Sequence, residues 1–166
     1  TLAAAGPEFF SVTYAAGGST REGTRRTVLQ LDGEVKVPTA PHLSCVGDSR
    51  EDLRNLINDY RANGIQRIVA LRGDPPKGSD GFTPHADGFA NSCELIEALA
   101  DTGNFTIRVG AYPEKHPEAA DTKADIEWLK RKIDAGASEA ITQFFFEAET
   151  FFRFRDACVK AGIDAP

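Results

Sequence analysis

The feature that most constrains this chain is a pattern that recurs along its whole length. A short apolar or β-branched run is followed by a loop, and then by a stretch with apolar residues at helical spacing. The first strand is expected over Phe9 to Tyr14, after Pro7, and a Gly/Ser turn then leads to a helix from about Thr20 to Leu31. The second strand is Thr39 to Cys45. Ser49-Arg50-Glu51-Asp52 has the form of a capping box, and it opens a helix whose Leu53, Leu56, Ile57 and Tyr60 share a face up to a stop at Gly64. Ile68 to Leu71 is apolar throughout, as a strand covered on both faces should be. The long loop Arg72 to Gly88 precedes a helix from about Asn91 to Asp101. A fourth strand (Phe105 to Ala111), a loop (Tyr112 to Asp121) and a helix (Thr122 to Ala135, stopped by Gly136) follow. The last unit is a strand from Ala140 to Phe145 and a helix from about Glu149 to Ala161, stopped by Gly162.

Five strand–helix units in succession imply an α/β fold with a parallel sheet and right-handed crossovers. A doubly wound sheet and part of a (β/α)8 TIM barrel both satisfy that pattern. Loop lengths favour the barrel, because the long and chemically loaded loops all follow strands, where barrels carry their function. Five units cannot close eight strands, so residues 1–166 read as one partial barrel domain with no second domain. Leu2 to Pro7 reads as a helix tail entering a strand, and Gly162 to Pro166 as a helix stop before another. Both ends are therefore expected to continue into a longer protein.

Charge and composition narrow the partners. The net charge of −6 disfavours a nucleic-acid coat, and no apolar run approaches the roughly 20 residues of a membrane span. With no signal peptide visible, a cytoplasmic protein is expected. Cys45, Cys93 and Cys158 lack metal-ligand spacing and read as buried reduced thiols. No metal site is expected. There is no Walker loop, no Gly-x-Gly-x-x-Gly fingerprint and no nucleophile elbow.

The polar residues at strand ends are Thr13 and Tyr14, His42, Arg72-Gly73-Asp74, Tyr112 to His116, and Gln143. In a barrel they would converge on one mouth. Each has a plainer reading. His42 suits a satisfied core histidine, and Arg72-Gly73-Asp74 suits a surface turn. As a ligand loop, the same triplet offers close backbone approach at Gly73, a fork for phosphate at Arg72 and an acceptor at Asp74. The loop Tyr112-Pro113-Glu114-Lys115-His116-Pro117-Glu118 is stiffened by two prolines. On the next helix Asp125, Trp128 and Lys132 share a face, while Lys130-Arg131-Lys132 also suits a solvated face near a helix C-terminus. Gln143, within the apolar run Ile141 to Phe146, is either a structural hydrogen-bonder or a reader of an amide-like edge.

Taken together, Phe10-Ser11-Val12-Thr13-Tyr14, Ala40-Pro41-His42-Leu43, Leu71-Arg72-Gly73-Asp74, Ala111-Tyr112-Pro113-Glu114, His116-Pro117-Glu118, Leu129-Lys130-Arg131-Lys132 and Ile141-Thr142-Gln143-Phe144-Phe145-Phe146 resemble the methylenetetrahydrofolate reductase family, in its order and spacing. The resemblance implies an FAD-containing (β/α)8 barrel, of which this chain covers strands two to six. It implies reduction of 5,10-methylenetetrahydrofolate to 5-methyltetrahydrofolate by NADH or NADPH, in ping-pong hydride transfer through flavin N5. It also implies a homo-oligomer acting in one-carbon metabolism. Carried over by position, Thr13, Tyr14, His42, Arg72, Gly73, Asp74, Ala90, Tyr112, His116, Ala119, Asp125, Trp128, Arg131 and Lys132 would contact the cofactors. Asp74 and Gln143 would also face the folate and act in catalysis. Trp128 stands where bacterial members often have Asn, and the segment Phe82 to Ser92 is longer than usual. The strand that carries the family's proposed general acid, a Glu, has no counterpart here, so the fragment alone is expected to be inactive. The alternative is a flavin-free or non-catalytic barrel module for a phosphorylated ligand. A Schiff-base enzyme would want a Lys at a strand end, and no strand ends in one.

Overall fold

Each expected strand forms, and each pairs in parallel with the next one along the chain. In the computed structural model, which describes residues 2–14, 21–74 and 82–166, β1 (Phe10–Val12), β2 (Thr39–Ser44), β3 (Arg67–Leu71), β4 (Thr106–Ala111) and β5 (Glu139–Thr142) form one sheet in that order. The helices α1 (Arg21–Glu34), α2 (Arg50–Ala62), α3 (Ser92–Ala100), α4 (Thr122–Asp134) and α5 (Ala148–Lys160) alternate with them, and a 3-10 turn, Leu2–Ala5, precedes β1. The Gly/Ser turn expected after Tyr14 and the middle of the loop after Asp74 lie outside the described residues.

Strand order decides the architecture. A doubly wound sheet reverses its order at a switch point. Here β1-β2-β3-β4-β5 never reverses. The outward residues Leu43, Ile68, Ala70, Ile107 and Val109 join Leu53, Ile57, Leu95, Leu99, Ile126, Leu129 and Phe154 of the helices in one core. Helices on one face of an unreversed parallel sheet make the wall of a TIM barrel, and this chain forms five consecutive units of it.

Alternate residues of the same strands point to the other face. There Arg108, 2% exposed, places Nη2 2.6 Å from Glu139 Oε2 and 3.4 Å from Glu8 Oε1, with its guanidinium 4.3 Å from the Phe9 ring centroid. A cation this buried depends on such partners.

The local signals formed as expected. Ser49 caps α2 with both halves of the capping box, and Asn91 caps α3 by accepting from the Cys93 and Glu94 amides. Gly64, Gly136 and Gly162 end their helices at positive φ. Cys45 and Cys158 are buried and Cys93 half-buried, all as free thiols. Burial pushes the Cys45 thiol up to about 12.

Three boundaries move by two residues or more. Strand β1 keeps only Phe10–Val12 of the expected Phe9 to Tyr14. Helix α1 runs on to Glu34, one turn past Leu31. Strand β5 stops at Thr142 rather than Phe145, because its partner β4 ends at Ala111. The Gln143 amide donates to Ala111 O at 2.7 Å, and that is the last rung. The chain then turns toward α5. Phe144 and Phe146 are 85% and 90% exposed, while Phe145 stacks on Phe151 at 5.3 Å.

Candidate active site

The loop after β3 is shaped by a glycine that nothing else can replace. Gly73 has φ +89°, and an added Cβ would overlap Ser44 Oγ and lie 2.7 Å from Val46 Cγ1. Backbone here approaches the end of β2 as closely as chain can. The turn throws Arg72 and Asp74 to the strand-end side of the sheet. Arg72 is gripped on several sides. Its Nη1 and Nη2 donate to Glu118 at 2.5 and 2.8 Å, its Nε donates to Gly73 O at 3.3 Å, and its guanidinium lies 5.0 Å from the Phe82 ring centroid. The pairing holds the Glu118 carboxyl below its ordinary range. Asp74 is exposed.

The loop after β4 is tied down by hydrogen bonds within itself and to the next helix. Lys115 takes φ +88°, a left-handed conformation rare for a residue with a side chain, and its Nζ donates to Ala119 O at 2.6 Å. The His116 amide donates to Asp125 Oδ2 at 2.8 Å, which ties the loop to α4. The rings of Tyr112 and His116 meet edge to face at 4.6 Å. His116 Nδ1 accepts from the Glu118 amide at 3.1 Å, which in the neutral imidazole leaves the proton on Nε2. Asp121 caps α4 through the Ala124 amide at 2.7 Å. One turn beyond Trp128 on the same helix face, Lys132 reaches back and donates to Gly110 O at 2.9 Å. Burial lowers the Lys132 pKa.

These groups surround a cleft of about 780 Å3 at the C-terminal ends of the strands. From β2 and the β3 loop, His42, Arg72, Gly73 and Asp74 line it. From the β4 loop come Tyr112, His116 and Ala119, from α4 Asp125, Trp128 and Lys132, and from the end of β5 Gln143. His42 is therefore not a core histidine. It is partly buried on the cleft wall, and burial lowers its pKa. Gln143 is not buried within an apolar strand. It is exposed just past the end of β5, and its Oε1 accepts from the Phe144 amide at 3.2 Å.

Four other expected residues do not line the cleft. Thr13 follows β1, and its carbonyl accepts from Thr24 Oγ1 at 3.2 Å. Tyr14 packs against the helix-side core, and its hydroxyl donates to the buried Asp48 at 2.6 Å, where Arg21 also pairs at 2.8 Å. Ala90 lies in the turn before α3, its amide donating to Glu94 at 3.1 Å. Arg131 sits behind the wall with its guanidinium 5.6 Å from the Trp128 ring centroid. The cleft also takes in Ser11, Ser92 and Glu118, which sequence reasoning did not select. Ser11 was legible as the same-face partner of Thr13, two residues away. Glu118 belongs to the His-Pro-Glu run, but its pairing with a residue 46 positions earlier leaves no local trace.

Comparison with known proteins bears on this geometry. Residues 1–166 match the family model described as methylenetetrahydrofolate reductase. The 5,10-methylenetetrahydrofolate reductase of Salmonella typhimurium is 47% identical over 158 residues, covering 95% of this chain and 51% of the relative. That of Escherichia coli K12 is 46% identical with the same coverage. A rice protein named probable methylenetetrahydrofolate reductase (NADH) is 38% identical, covering 99% of this chain and 30% of its own length. The chain thus spans about half the length of the bacterial relatives. Among solved structures, a putative phosphonomutase from Burkholderia cenocepacia superposes with a TM-score of 0.68 at 17% identity, covering 94% of this chain and 68% of that one. A phosphonopyruvate hydrolase superposes with a TM-score of 0.65 at 12% identity, covering 85% and 49%. At such identities these two share the fold alone.

Proposed function

Because the chain belongs to the methylenetetrahydrofolate reductase family, we propose that the protein containing it reduces 5,10-methylenetetrahydrofolate to 5-methyltetrahydrofolate with NADH or NADPH through a bound FAD. This chain would supply the flavin-side wall of the site. The observation that carries the reading is the convergence of Arg72, Asp74, Tyr112, His116, Asp125 and Lys132, from three separate segments, on one cleft. The donor set fits FAD. The cleft volume of about 780 Å3 lies in the ordinary range for cofactor sites. Two cations, Arg72 and Lys132, match a diphosphate in an otherwise acidic chain. Asp125 is an acceptor for ribose hydroxyls, and Tyr112, His116 and Trp128 offer ring faces.

FAD, when bound, supplies the ring that takes hydride from NAD(P)H and gives it to the folate. Lys132 would face the phosphates, Arg72 would join it by giving up its Glu118 partner, and the β4 loop, tied to α4, would hold that side of the cleft in place. Asp74 does two things with one charge. It raises the cost of adding electrons beside it, which favours giving hydride away. It also stabilises the cation that develops when the folate's five-membered ring opens to an iminium, as preorganised electrostatics at the reacting centre. Gln143 presents both a donor and an acceptor to the amide edge of the pterin. The proton for the leaving nitrogen is assigned to a group outside these residues.

The test uses the full-length protein. It should purify yellow, bleach anaerobically with NADH or NADPH, and recover its colour on adding the folate. Asp74→Asn should keep FAD, raise its reduction potential and depress folate turnover. A colourless protein that takes up no FAD refutes the reading. An Asp74→Asn variant with unchanged potential and turnover refutes the role of Asp74.

A further inference from the structure

Beneath the cleft, the inner face of the sheet carries two arginines that the proposed chemistry does not use. Ile68, Ala70, Ile107 and Val109 fill the helix-side core, so the alternate positions Arg67, Val69, Arg108 and Gly110 face the barrel interior. Val69 and Gly110 line the cleft. Arg108 is level with Val69 and two residues before Gly110, toward the N-terminal ends of the strands. Its guanidinium crosses the interior. Nη2 pairs with Glu139 on β5 at 2.6 Å and with Glu8, 100 residues away at the entry to β1, at 3.4 Å. Nη1 is buried and has no hydrogen-bond partner among the described residues, and neither has Nε of Arg67.

We propose that Arg108 is a cross-barrel tie, and that one of the strands completing the barrel presents an inward Asp or Glu to its Nη1. This goes beyond the flavin reading and does not rest on it. Five strands leave three more to close over this face, and closure removes the remaining water. A guanidinium stays charged when buried, so it depends on anionic acceptors. Arg67 and Arg108 stand on neighbouring strands, two residues out of register on one face, and their charges add. Glu139 is mostly buried and offsets one of them, whereas the Glu8 side chain is 72% exposed. A further carboxylate supplies both the missing acceptor and the missing charge. Interior layers of a barrel take their side chains from alternate strands, which points to the strand after β5 or the one before β1 as its source.

The experiment uses the full-length protein and thermal unfolding. Each inward Asp or Glu of the closing strands is replaced by Asn or Gln, in the parent and in Arg108→Met. One replacement should lower the melting temperature by about 5–15 °C in the parent. The same replacement should cost far less in Arg108→Met, where no buried cation is left unpaired. Glu139→Gln calibrates the size of such coupling, and the solvated Glu8→Gln should show little of it. If no residue outside 1–166 couples to Arg108, or if Glu8 alone carries the coupling, the inference is overturned. Should Arg108→Met fail to fold, a crystal structure of the full-length parent decides. An Asp or Glu oxygen from a closing strand within about 3.2 Å of Nη1 supports the tie. A water or a backbone carbonyl there, with no such carboxylate, overturns it. Neither readout involves flavin, so failure here leaves the flavin reading untouched.

Discussion

Replacing Gly73 by alanine is the sharpest test of how the site loop is built. At φ +89° an L-residue pays a backbone cost of about 1–2 kcal/mol. The new methyl also has nowhere to go. It would overlap Ser44 Oγ and press on Val46 Cγ1 at 2.7 Å. Ser44 is 5% exposed and tied on both sides. Its hydroxyl donates to Arg72 O at 3.3 Å and accepts the Val46 amide at 3.2 Å, so moving aside gives up both bonds. Overpacking of this kind costs about 1–3 kcal/mol, which brings the total to about 2–5 kcal/mol. With a urea slope of about 2 kcal/mol per molar, the unfolding midpoint should fall by about 1–2.5 M. FAD affinity should fall as well, because Arg72 and Asp74 move with the turn. Gly33→Ala is the control. It lies inside α1 with nothing within 4 Å of an added Cβ, and should stabilise by about 0.5–1 kcal/mol. If Gly73→Ala unfolds within about 0.5 kcal/mol of the parent, ordinary surface-substitution scatter, the cradle argument is wrong.

Three further outcomes follow from the same geometry. The Arg72 guanidinium holds the Glu118 carboxyl below its ordinary 4.5, so the pair is intact above that pH and is lost as pH falls through the lowered value. Hydrogen exchange over residues 112–121 should therefore show an acid step that Glu118→Gln lacks. Burial lowers the pKa of His42 below 6.5, so the unfolded chain takes up a proton before the folded one does, and stability drops as pH falls below 6.5. Urea midpoints at pH 7.5 and 5.5 should differ less in His42→Asn than in the parent. Asp48→Ala removes the buried acceptor of both Tyr14 and Arg21 and should cost about 1–3 kcal/mol in thermal unfolding. Adding Tyr14→Phe should recover part of that loss, since no hydroxyl is then left unpaired.

The sequence by itself determined the elements. Strand and helix follow from apolar period, cap and stop, which are set by neighbours a few residues apart. That is why Ser49, Asn91 and the helix-stop glycines behave as read. It also determined which residues stand at strand ends and on the polar face of α4, and so His42, Arg72, Asp74, Tyr112, His116, Asp125, Lys132 and Gln143, which meet at the cleft. Loop lengths and the family resemblance already favoured the barrel, and the unreversed strand order bears it out, since strand order is a property of pairing and not of any one strand. Only the tertiary structure decided where side chains at the rim point. Val12 and Tyr14 fall on the helix face of β1 while Ser11 falls on the other, which sends the Tyr14 hydroxyl to Asp48, 34 residues away, rather than into the cleft. The run after Thr142 reads as strand by composition, yet β4 lends it no further rung, so Gln143 is exposed. Gly73, plausible in sequence as any turn glycine, became obligatory only once Ser44 and Val46 of a different unit were seen to occupy the space a Cβ would need.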